Sequence, residues 1–202
     1  MNARFMVILA MGCARPVPPA AAMQDAPAET LVDLDPAALM GTWFVVGTTL
    51  DFWQDRTDPR LVYAPLSPDP KTGAARWSDT VVFLKNGRER TIEGIDTLDL
   101  TRTGHFQWQG SGLLASLRSQ CFIVAMDPEG AWAVSYFSAT AATPAGMDLL
   151  SRSLDLADDD RVQAHVEISK MPSLSVLWES AYPPVHTLKS AQGAIQAAPS
   201  GP

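Results

Sequence analysis

Between residues 41 and 153 the sequence passes eight times from a short β-branched and aromatic run to a turn, with no helical stretch between the runs. The first run is "GTWFVVGTT", followed by the loop "LDFWQDRTDP", whose Asp-Pro is expected to end in an extended conformation. "RLVYAPLS" and "ARWSDTVVFL" flank the Pro- and Gly-rich turn "PDPKTG", and "KNG" joins the latter to "RERTIEGIDTLDL" as a tight hairpin. After the turn "TRTG" come "HFQWQG", "SQCFIVAM", "AWAVSYFS" and "GMDLLSRS", with "DPEG" turning the chain between the sixth run and the seventh. Eight strands in hairpin succession predict an all-β, up-and-down antiparallel barrel, because closure removes the unpaired edges of an open meander. A barrel of that size encloses about one small ligand.

The pattern changes after Ser153. "DDDRVQAHVEISKM" carries Val162, Val166 and Ser169 at helical spacing with Ile168 beside them, and Asp158, Asp159 and Asp160 are expected to cap and charge its N-terminus. The helix is expected to stop before Pro172, and "LSVLWES" reads as a short ninth strand. Residues 31–182 form the expected barrel domain and 183–202 a disordered tail.

Upstream lie an apolar run from Phe5 to Met11, then Cys13, then a stretch rich in Pro and Ala. Residues 1–13 read as a secretory signal and 14–30 as a flexible tether, both set aside from the fold. "LAMGC" is similar to a bacterial lipobox, which would make Cys13 the acylated residue; the alternative is a disulfide between Cys13 and Cys121, the two cysteines of the chain.

The pieces together resemble the lipocalins, and within them the bacterial outer-membrane lipoproteins related to apolipoprotein D. The resemblance rests on Gly41-x-Trp43 after a short helical turn, on "LLSR" at 149–152, and on the helix that follows. It implies that Arg152 packs over Trp43 and closes the bottom of the barrel, with the guanidinium plane covering the indole face. It also implies a membrane-anchored envelope protein, held at the outer membrane through Cys13 and facing the periplasm, that binds or carries a hydrophobic small molecule such as a fatty acid or lysophospholipid. "DPEGAWAVSYF" stands where the family has a second motif and keeps only its Tyr136.

Strand alternation selects the candidate pocket. Trp77, Asp79, Val81 and Phe83 share one face of the third strand, Phe106 and Trp108 one face of the fifth, and Cys121, Ile123 and Ala125 one face of the sixth. They predict an apolar, aromatic-walled pocket with few polar groups. Asp79 either anchors a ligand head group or points outward at a strand irregularity. The resemblance places the loop after the first strand over the mouth, where Phe52 and Trp53 would form a lid or membrane-touching rim, or fold back on the wall.

Other functions find less support. A net charge of −7 with no basic stripe argues against nucleic acid. His105, His165 and His186 have no metal-ligand spacing, no G-x-S-x-G elbow is present, and no cofactor is called for. Two rivals stay open: a lipocalin-fold enzyme of isomerase type using Cys121 on an apolar substrate, and a structural or interaction domain with a filled barrel.

Overall fold

A computed structural model describes residues 34–102, 104–140 and 143–187. Eight strands follow one another around a closed antiparallel barrel, each paired with its sequence neighbours and the last with the first. They are β1 (Gly41–Thr48), β2 (Thr57–Leu66), β3 (Arg76–Lys85), β4 (Arg88–Leu98), β5 (His105–Gly110), β6 (Arg118–Met126), β7 (Trp132–Phe137) and β8 (Gly146–Ser151). A one-turn helix α1 (Pro36–Leu39) precedes β1, and α2 (Asp158–Ser169) and α3 (Pro172–Trp178) follow β8.

Two hydrophobic clusters divide the molecule. One fills the barrel around Trp43, Leu61, Tyr63, Trp77, Phe106 and Ile123. The other lies outside, where Phe122, Val124, Ala125, Val134 and Leu149 meet Ala164, Ile168 and Leu174 of the helices. The β3–β4 hairpin turns at Asn86 and Gly87, both with positive φ, and this locks the register from Lys85↔Arg88 down to Arg76↔Thr97.

Several expectations are corrected. "LSVLWES" is not a ninth strand: Pro172 occupies the first turn of α3, where its missing N–H costs nothing, so it starts a helix. Trp178 ends α3 and packs on Gly47, where an added Cβ would stand 3.1 Å from its ring. In α2 the cap residue is Ala157, which has no side-chain oxygen, so Asp158–160 act on the helix end through charge alone. Ala164 and Ile168 are its buried residues, while Val162 and Val166 are exposed.

Asp58, expected extended before Pro59, has φ +56. A register shift lies between Thr57 and Arg60, and the Asp58 carboxylate accepts from both the backbone N–H and the hydroxyl of Thr187. Tertiary contact therefore decides the local backbone here. The same contact shortens the expected tail. Tyr182 bridges Thr48, Val185 bridges Thr57, and the Tyr182 hydroxyl donates to Leu50 O at 2.6 Å. The remainder of the tail, residues 188–202, and residues 1–33 with Cys13 lie outside the described residues.

Candidate functional site

The closed end is built from α1, the start of β1 and the residue after β8. Gly41 has φ +99, and a Cβ there would stand 3.2 Å from Arg152 Nη1, so this position needs glycine for both its backbone and its space. The Arg152 guanidinium lies 3.6 Å from the Trp43 ring centroid and donates to Thr42 O at 3.0 Å and Ala38 O at 2.8 Å. Beneath it the Trp43 indole N–H donates to Leu39 O at 2.7 Å. One cation thus ties the plugging turn to the first strand.

At the other end, Phe52 and Trp53 sit in a 3-10 turn, Asp51–Trp53, and fold inward rather than forming a membrane-touching rim. Their rings stack edge-on at 4.7 Å, and both meet Phe83, at 5.7 and 5.9 Å. Trp53 is buried in the barrel cluster.

Between these ends lies the chamber that the candidate residues line. Ladder pairs run around it: Tyr63↔Asp79↔Gly94↔Gly110, then Trp77↔Asp96↔Trp108↔Ser119, and Phe106↔Cys121↔Phe137. Paired residues share a face, so Trp77, Asp79, Val81, Phe83, Phe106, Trp108, Cys121 and Ile123 all point inward, with Trp77 edge-on to Phe106 at 5.2 Å. Ala125 does not, because the register shifts between Ile123 and Ala125 and turns it to the outer cluster. Four residues at inward positions, Val81, Ile92, Trp108 and Cys121, are half-buried rather than fully buried. Trp108 is seated on Gly94, where a Cβ would come within 2.2 Å of its Nε1.

The chamber is also far more polar than the apolar pocket expected. Asp79 faces in, and it is joined by Asp96 and Asp148, which are 7%, 0% and 4% exposed respectively. Among the described residues, Asp79 Oδ1, both oxygens of Asp96, Asp148 Oδ1 and the indole nitrogens of Trp53 and Trp77 close no hydrogen bond of ordinary geometry. Burial pushes Asp79 and Asp148 up to about 7. Burial pushes Asp96 well above the ordinary carboxylate range, and the neighbouring Asp79 adds to this. The Trp77 indole acts against the shift at Asp96, and Thr48 and Trp53 act against that at Asp148. Tyr63 is raised first by burial and then by Asp79, Asp96, Cys121 and Asp148.

Cys121 is a free thiol whose pKa burial raises, with Asp96 and Asp79 adding to it. That environment favours the neutral thiol and disfavours a nucleophilic thiolate. Sequence reasoning missed Tyr63, Asp96 and Asp148. Asp96 was within reach, because the Asn86-Gly87 turn sets it opposite Trp77. Asp148 needed barrel closure, which pairs β8 with β1 and β7.

No protein-family model matches the chain, and no curated protein sequence matches it. Solved structures do match by shape. Insecticyanin from the tobacco hornworm Manduca sexta superposes with a TM-score of 0.56 at 14% identity, over 75% of this chain and 80% of that one. Lobster apocrustacyanin A1 gives 0.53 at 12% identity, over 75% and 79%. Apocrustacyanin C2 gives 0.54 at 14%, over 74% and 78%. At these identities the likeness is one of fold.

Proposed function

From the lipocalin fold of this barrel, we propose that the protein binds a small apolar molecule in its interior and carries or stores it at a membrane surface. The observation that carries this reading is the partly exposed inner wall at Val81, Ile92, Trp108 and Cys121. Apolar surface left accessible inside a barrel gains about 25 cal/mol per Å² when a ligand covers it. Trp77, Phe106 and Ile123 extend the same wall, and with Arg152 on Trp43 closing the floor a ligand would enter at the opposite end, past Phe52 and Trp53.

N-phenyl-1-naphthylamine, which brightens in apolar sites, tests the reading. Saturable one-site binding is expected, reduced at least about tenfold by Val81→Trp or Ile92→Trp, which fill the space. A folded protein with no saturable binding would overturn it in favour of a filled barrel.

The anchor is a separate part of the proposal and is supported by "LAMGC" and the Pro/Ala-rich residues that follow. Acyl chains on Cys13 would hold the protein in the bacterial envelope, at the outer membrane facing the periplasm. Intact mass measurement should find acyl mass on Cys13 that disappears in Cys13→Ser. An unmodified Cys13, or one joined to Cys121, would remove the anchor.

A further inference from the structure

We propose that the ligand is a cationic amphiphile, an apolar body bearing a protonated amine whose ammonium sits between Asp79 and Asp96. This rests on the binding function proposed above and names the ligand class.

The placement comes from register. Asp79 pairs with Gly94 and Asp96 with Trp77, so the two carboxyl groups are diagonal neighbours on the inner face of β3 and β4. Diagonal residues on one face lie roughly 7–8 Å apart at most, and their side chains converge on one guest. Neither forms an ion pair among the described residues. Asp79 Oδ1 and both Asp96 oxygens are buried and close no hydrogen bond of ordinary geometry. The Trp77 indole is close enough to Asp96 to act against its upward shift, without closing a hydrogen bond of ordinary geometry.

Burial disfavours the ionised form of both acids, and an unpaired buried carboxylate is costly. A ligand cation supplies what both lack. Aromatic rings complete the site: Trp77 pairs with Asp96 on one side and Trp108 with Asp96 on the other, and an ammonium is attracted to such faces. A metal ion fits less well, because no group of three His, Cys, Asp or Glu among the described residues could hold one. Small donors on the amine would meet Asp79 and Asp96, and the alkyl or aryl body would lie along Val81, Ile92 and Cys121. The other titratable residues at inward ladder positions are Tyr63 of β2, opposite Asp79, Cys121 of β6 and Asp148 of β8, none of them cationic.

Decylamine, decanol and decanoate share one chain and differ in head-group charge. Each is titrated below its micellar concentration at pH 8 against bound N-phenyl-1-naphthylamine, using wild-type protein, Asp79→Asn and Asp96→Asn. Decylamine is expected to displace the dye at concentrations at least about tenfold below decanol, with decanoate weakest. In each Asn variant that advantage should fall to within about threefold while decanol is unaffected, with circular dichroism reporting the fold. If decanol matches decylamine in wild-type protein, the amine class is wrong and the apolar site stands. If the amine preference survives both substitutions, it arises elsewhere on this acidic protein, and the assignment to Asp79 and Asp96 fails. If the dye itself does not bind, both readings fail together.

Discussion

The Arg152 guanidinium covers the Trp43 indole at 3.6 Å while its two forks hold Ala38 and Thr42. This stack is the floor of the barrel. Trp43→Ala should cost about 3–5 kcal/mol, as for other buried large aromatics. Arg152→Lys keeps the charge but loses the plane and one fork, and should cost about 1–3 kcal/mol. Urea unfolding checks both. A Trp43→Ala protein of unchanged stability that no longer bound apolar dye would make Trp43 a ligand contact instead.

Asp148 makes stability depend on pH in an unusual direction. Its folded pKa is raised to about 7, above the unfolded value near 3.8. Between those values the folded state holds a proton that the unfolded state has released, so stability falls as pH rises from about 4 to 7. Asp79 and Asp96 contribute in the same direction, so Asp148→Asn should remove only its own share of the slope, gaining up to about 4 kcal/mol at pH 8 and nothing near pH 4. Thermal melts across this range decide it; a variant no more stable than wild type at pH 8 would show that Asp148 is paired in solution.

Gly94 makes room for Trp108, since a Cβ there would fall 2.2 Å from the indole Nε1 and 2.9 Å from Gln109 O. Gly94→Ala must displace the indole from its seat. A shifted tryptophan emission and dye affinity weakened at least about threefold are expected; unchanged emission would mean the ring has another resting place.

The Asp58 carboxylate, gripping Thr187, holds the segment 182–187 against β1 and β2. Thr187→Ala, which keeps the backbone bond and loses the hydroxyl one, should cost about 1–2 kcal/mol. Asp58→Ala loses both bonds and keeps a side chain at positive φ, so it should cost more. Hydrogen exchange at the Asp58 amide, which donates to Val185 O at 2.8 Å, should accelerate in the same order. Equal protection in all three proteins would show that the segment is held by its bridges alone.

Local chemistry made much of this legible. β5 matches the run "HFQWQG" at both ends, and the Asn86-Gly87 turn carried enough information to set β3 against β4. "LSVLWES" was not legible, because a short apolar run suits strand and helix equally and only packing of Leu174 against the outer cluster favours the helix. The swing of Ala125 to the outside depends on a bulge that no periodicity announces.

Sequence by itself determined the eight strands and most of the inward faces, since alternation and turn residues are local properties, while the Trp43–Arg152 plug was legible only through the family resemblance. Only the tertiary structure decided that Asp79, Asp96, Asp148 and Tyr63 share one chamber and that no described cation answers them. A carboxylate's partner is set by what the closing sheet brings across the barrel, and neighbours in space from β2, β3, β4 and β8 are not neighbours along the chain.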